Sequence, residues 1–195
     1  MTIADLFDDL VPRTGGSPVL PGWDEVITPA DEADLIGQID ASDLEPFRFQ
    51  GWLGKRLTRS FGWIYDFANG RFEQGPPLPV WLLPTRDAVA KATGLDAASL
   101  VHALLIRYDV GAGIGWHKDR PVFEHVAGLS LGGEAAMRFR RRSANGFERF
   151  TAPLRPRSAY RLSGELRGSW EHSLAPAEVP RWSITFRTLR AAQGR

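Results

Sequence analysis

The stretch Gly115-Trp116-His117-Lys118-Asp119 sets an imidazole and a carboxylate two residues apart. In an extended segment such residues point to the same side, so both can reach a common point. A third candidate, His172, stands far along the chain in Trp170-Glu171-His172-Ser173. Two histidines and one carboxylate on one face of a metal leave three coordination positions open. That set suits non-haem Fe(II), with two positions for a chelating cosubstrate and one for dioxygen. An H-x-D alone is a weak signal, and its alternative is a surface histidine beside a solvated Lys-Asp pair.

A second feature raises the signal. Arg181-Trp182-Ser183-Ile184-Thr185-Phe186-Arg187 alternates strictly, with Trp182, Ile184 and Phe186 on an apolar face. Arg181, Ser183, Thr185 and Arg187 form the polar face. Alone this reads as a half-exposed strand with solvated arginines. Following the His172 segment closely, it instead offers two guanidiniums and two hydroxyls near a metal. Such a row suits a dicarboxylate, because the planar arginine fork pairs bidentately with carboxylate.

The order of these motifs resembles the AlkB family of 2-oxoglutarate- and Fe(II)-dependent oxygenases over roughly residues 100–190. The matching residues are Tyr108, His117-x-Asp119, Leu129-Ser130-Leu131-Gly132, His172, and the R-x5-R from Arg181 to Arg187. The resemblance implies a double-stranded β-helix (jelly-roll) core. It implies His117, Asp119 and His172 as iron ligands. Arg181 and Tyr108 would hold the distal carboxylate of 2-oxoglutarate, with Arg187 near the chelating end and Ser183 close by. The implied chemistry consumes O2 and 2-oxoglutarate, releases succinate and CO2, and hydroxylates the substrate. Hydroxylation of an N-methyl group releases formaldehyde from an alkylated base. Two positions depart from the family's best-known repair members. Ile106 stands where they have an asparagine, and Pro121 where they have an acid that can meet a cationic base. Glu124 is an acid that could substitute.

For the substrate, Ser60 to Phe67 looks like the family's nucleotide-recognition lid. Trp63 and Tyr65 alternate to one face there, with Arg56 and Arg59 before them, and could stack a flipped base and meet phosphates. The alternative is that both aromatics belong to the core. Arg138, Arg140, Arg141 and Arg142 form a second basic cluster, read either as a nucleic-acid contact or as a solvated hairpin edge that blocks strand pairing.

The elements that must position these residues follow from local signals. Thr28 can cap a helix, Pro29 suits its first position, and Leu35, Ile36 and Ile39 give it an apolar stripe. A second helix is expected over about Thr85 to Thr93, stopping at Gly94. From Ser99 onward short alternating strands predominate. In the clearest, His102, Leu104, Ile106 and Tyr108 face one way and Val101, Ala103, Leu105 and Arg107 the other. The fold class expected is α+β: a single domain over 1–195, with helices and a lid (about 47–81) in 1–98 and a jelly-roll catalytic core in 99–195.

Bulk composition narrows the alternatives. A net charge of +1 excludes a polyelectrolyte, so attraction to nucleic acid must come from local patches. The absence of cysteine removes disulfides, thiolate metal sites and cysteine nucleophiles. No apolar run approaches the roughly 20 residues that span a bilayer, and the acidic N-terminus lacks a signal peptide's basic region. The expectation is a cytoplasmic, monomeric enzyme acting on alkylated, single-stranded DNA or RNA, with no membrane partner. The same chemistry on a protein or small molecule is a second reading, and a non-enzymatic β-sandwich binding module a third.

Overall fold

A computed structural model describes residues 18–49, 52–65 and 72–190. The helix signals translate directly. Helix α1 (Pro29–Asp40) begins with a capping box: the Thr28 hydroxyl accepts from the Asp31 amide at 3.2 Å, and the Asp31 carboxylate accepts from the Thr28 amide at 3.1 Å. Helix α2 (Leu83–Thr93) starts two residues before the expected position because a 3-10 turn, Val80–Leu82, runs into it. It ends where Gly94 turns left-handed at φ 68°.

Among the described residues, twelve strands complete the fold with a short helix α3 (Gly164–Gly168). They are β1 (Gly22–Trp23), β2 (Glu45–Phe49), β3 (Trp52–Tyr65), β4 (Phe72–Gln74), β5 (Leu100–Tyr108) and β6 (Ile114–His117). Then come β7 (Phe123–Gly132), β8 (Ala135–Ser143), β9 (Gly146–Leu154), β10 (Ala159–Leu162), β11 (Glu171–Leu174) and β12 (Arg181–Leu189). The larger sheet runs β1-β10-β7-β12-β5-β3-β2, with β4 attached to β3. The smaller runs β6-β11-β8-β9. All their pairings are antiparallel. This is the sheet-dominated α+β jelly roll expected. Strands from the first half of the chain join the same large sheet as those from the second.

Strand alternation sorts side chains into two cores. Ala103 and Leu105 of β5, Leu129 and Leu131 of β7, and Ile184 and Phe186 of β12 lie under α1 and α2, where they meet Leu35, Ile39 and Val89. The opposite faces look inward between the sheets, where Ile106 and Tyr108 meet Met137, Phe139, Leu162 and Trp170. One glycine is required for this packing. A Cβ at Gly128 would collide with the ring of Tyr160, which lies across β7 on the neighbouring strand. Among the described residues, no helix is long and apolar enough to cross a membrane.

Phe139 is fully buried, stacks on Phe150 at 4.4 Å between centroids, and reaches to 6.2 Å from the His172 ring. Phe139→Ala is expected to cost about 3–5 kcal/mol in urea unfolding. A cost below about 1 kcal/mol would show that the cleft collapses around the missing ring.

Candidate metal and cosubstrate site

His117 closes β6 and His172 lies on β11, and their Cα atoms are direct partners in the antiparallel register. That register brings the two rings to 4.2 Å between centroids. Asp119 follows two residues after His117 and turns to the same point. One ligand atom from each of the three lies within 4.8 Å of the others, so the set can hold a metal ion. The His117 Nδ1 hydrogen donates to the Gly115 carbonyl at 2.9 Å, which leaves Nε2 with its lone pair.

The charges are set for coordination. Burial first, and then the adjacent His117, push His172 down to about 4. Burial likewise lowers His117. Both imidazoles are therefore neutral near pH 7, and the 3.6 Å approach of His172 Nε2 to Asp119 Oδ2 joins two ligand atoms rather than an ion pair. Burial would raise the Asp119 carboxyl, but Arg187 and the two histidines outweigh it and hold the group well below the usual carboxylate range.

Arg187 donates to Asp119 Oδ1 through Nε at 3.1 Å and Nη2 at 2.9 Å. Its Nη1 donates to His102 Nδ1 at 3.2 Å. An arginine can only donate, so His102 Nδ1 carries no proton; burial, then Arg187, hold this imidazole well below its ordinary pKa. His102 is absent from the site residues expected from the sequence. Strand alternation is the signal that finds it, since it shares the Tyr108 face of β5.

Arg181 lies at the other end of the β12 polar face, 3% exposed. Its Nη2 donates to Ser130 Oγ at 3.0 Å and its guanidinium sits 4.9 Å above the Tyr108 ring. Its Nε and Nη1 are buried without a hydrogen-bond partner. A buried cation with two orphaned donors has a strong demand for an anion, and the fork geometry fits a carboxylate. The residues present thus fit a dicarboxylic cosubstrate with one end at Arg181 and the other at the metal. Ser183 lies two residues from Arg181 and four from Arg187, so at the strand rise of roughly 3.3 Å per residue it stands nearer the distal end. Ile106 gives this cavity an apolar wall, and Ser130 supplies the polar support for Arg181.

Apart from Ser130, which stands behind Arg181, the side chains of the site line one cavity of about 950 Å³ between the sheets. On the lid side its wall is Gly54, Arg56, Thr58, Ser60 and Ile64. Arg59 and Trp63 depart from the expectation of a place in the substrate pocket. Alternate residues of β3 face opposite ways, and these two fall on the other side; Arg59 pairs across from Leu105 and donates to the Asp43 carbonyl at 3.5 Å. The Tyr65 side chain lies outside the described residues. Arg56, held 3.8 Å over the Phe47 ring, takes the cavity position instead.

His172→Ala should retain the native circular dichroism spectrum and lose Co(II) or Mn(II) binding by calorimetric titration. Retained stoichiometric binding would refute the triad. Arg181→Met removes a buried charge with orphaned donors, so it should leave the ligand-free Tm unchanged or raised. It should also abolish the rise in Tm on adding 2-oxoglutarate. A lower ligand-free Tm with that rise intact would count against this role for Arg181.

The sequence profile of the 2OG-Fe(II) oxygenase superfamily matches residues 57–188. The chain is 26% identical over 174 residues to the alkylated DNA repair protein ALKBH8 homolog of Arabidopsis thaliana, an alignment covering 76% of this chain and 48% of that protein. It therefore spans about half the length of that curated relative. The solved structure of OsALKBH1 superposes with a TM-score of 0.66 at 15% identity, covering 90% of this chain and 99% of the other, which establishes a shared fold. With the superfamily come Fe(II), 2-oxoglutarate and O2 as its reactants and cofactors. The chain belongs to the 2OG-Fe(II) oxygenase superfamily.

Proposed function

We propose that this oxygenase removes alkyl groups from N-alkylated bases in single-stranded DNA or RNA, releasing formaldehyde, succinate and CO2. The observation that carries this reading is the surface beside the metal residues. Trp116, the residue before His117, lies under Arg138 at 5.4 Å and Arg140 at 4.5 Å. Phe147 lies under Arg140, Arg142 and Arg149 at 4.9 to 5.4 Å. Guanidiniums layered on aromatic rings suit phosphates and stacked bases. The alternative of a solvated edge does not describe these arginines, because β8 is flanked by β11 and β9. Alternation sends Arg138, Arg140 and Arg142 outward, where Arg140 also pairs with Glu171 at 2.6 Å, while Arg141 turns to Glu148 and Glu165.

His117, Asp119 and His172 would hold Fe(II), while Arg181, supported by Tyr108 and Ser130, would orient 2-oxoglutarate. Bound there, iron and its cosubstrates supply the oxidation of a substrate C–H bond coupled to decarboxylation of the oxo-acid. The chain's own part is orientation and exclusion of water. Arg187 keeps one Asp119 oxygen engaged so that the other faces the metal position. Leu104, Ile106, Met137 and Leu162 make the inner wall apolar.

Incubation with Fe(II), ascorbate, 2-oxoglutarate and methylated single-stranded oligonucleotides should yield succinate, formaldehyde and a base lighter by one methyl group. Succinate without loss of methyl mass would sink this reading and leave oxygenation of another substrate class. Oligonucleotide affinity should fall with salt. In the double variant Arg138→Ala/Arg142→Ala the log–log slope should shrink by roughly 0.7 for each phosphate that is no longer neutralised. An unchanged slope would remove these arginines from the binding surface.

A further inference from the structure

The cavity wall at the metal end is charged in one direction. Asp119 is the sole carboxylate among its described lining residues, and it is bonded to Arg187. Arg56, Lys118 and Arg167 line the same space, and none has a carboxylate partner among the described residues. Lys118 Nζ donates to the Gly168 carbonyl at 3.1 Å. Arg167 Nη2 donates to the carbonyls of Phe123, at 3.0 Å, and Arg120, while its Nε is buried without a partner. Glu124, the acid that could have balanced them, is engaged by Arg190 at 2.6 Å and does not line the cavity. Pro121 does line it, two residues past Asp119, and its side chain has no polar atom to offer. Fe(II) and a 2-oxoglutarate dianion carry equal and opposite charge, so loading the site leaves these cations unbalanced.

We propose that the cavity admits an electrically neutral alkylated base and discriminates against a cationic one; this rests on the nucleic-acid reading of the site. A cationic base would leave water for a low-dielectric cleft that presents positive charge and no free carboxylate. A neutral base with ring carbonyls offers acceptors that the ammonium of Lys118 and the guanidiniums of Arg56 and Arg167 can meet. The phosphates that accompany either base are attracted equally, so discrimination falls on the base alone.

3-Methyluracil and 3-methylcytosine make a near-isosteric pair, the first neutral and the second cationic at neutral pH. The full chain loaded with Mn(II) and 2-oxoglutarate is titrated with single-stranded oligonucleotides carrying one or the other at the same position, or neither. Fluorescence anisotropy should show 3-methyluracil bound about tenfold more tightly than 3-methylcytosine. The cationic base should gain nothing over the unmodified strand. Pro121→Asp, which adds a carboxylate to the wall, and Arg56→Gln, which removes a cation, should each shrink that ratio. Equal or tighter binding of 3-methylcytosine, no preference for either modified strand, or a ratio unmoved in both variants would overturn the proposal. With Fe(II) in place of Mn(II), absence of methyl loss from both strands while the binding ratio holds would remove the demethylase reading and leave the charge selection standing.

Discussion

The ion pair between Arg187 and Asp119 spans the two sheets and organises the site on both sides of it. Asp119 hangs from the segment after β6 in the small sheet, and Arg187 stands on β12 in the large one. Both side chains are about a tenth exposed, at 8% and 11%. Desolvating such a pair offsets most of its attraction, so its net stabilisation is small. What it contributes is aim. With two donors fixed on Oδ1, the carboxylate presents Oδ2 toward His172. Arg187 is itself fixed by His102, so a neutral buried imidazole on a third strand sets the direction of a candidate metal ligand through one intervening guanidinium.

That arrangement needs the two sheets to hold their spacing, and the inner core supplies it. Phe139 and Phe150 stack from β8 and β9, with Trp170 set edge-on to Phe150, close behind His172. On the other side the β12 apolar face is locked under the helices by Ile184 and Phe186. A strand with one face in a dry core and the other lining a cavity has little freedom to slip, because a one-residue shift would exchange the two. Arg181 and Arg187 are held at opposite ends of one cleft for that reason.

Much of this was legible because strand periodicity fixes faces. The alternation of β5 put Tyr108 with Ile106 and Leu104, and that of β12 put both arginines on one side. Pairing was not legible. Nothing local to Trp170-Glu171-His172 says that it opposes His117; that depends on a long-range register. Nor does nearness in sequence mean nearness in a sheet. β12 follows β11 closely, yet the two meet across the cleft as members of different sheets. The lid shows the same limit. Alternation in β3 separates Arg56 from Arg59 and Trp63, but which set faces the cavity depends on which face the helices cover. In β8 a run of arginines reads as one cluster, whereas its parity divides them between an outer face, where Arg140 meets Glu171, and the pairing of Arg141 with Glu148 and Glu165.

The orphaned donors of Arg181 and Arg167 link stability to ligand binding. Buried polar groups without partners are uncommon in native proteins, since each costs about 1–3 kcal/mol. Both of these lie on the wall of the same cavity, at opposite ends of its polar lining. The Arg181 donors await an anion in a position that Tyr108 and Ser130 have already shaped. An anionic cosubstrate that satisfies them recovers a cost the fold carries without it, so its affinity includes relief of that penalty as well as new hydrogen bonds. Arg167 lines the cavity with its Nη2 on the Arg120 and Phe123 carbonyls, and its positive charge has no carboxylate partner among the described residues. The two ends therefore differ in kind: one has a built complement for a carboxylate, and the other sets the sign of charge that the substrate group can bring.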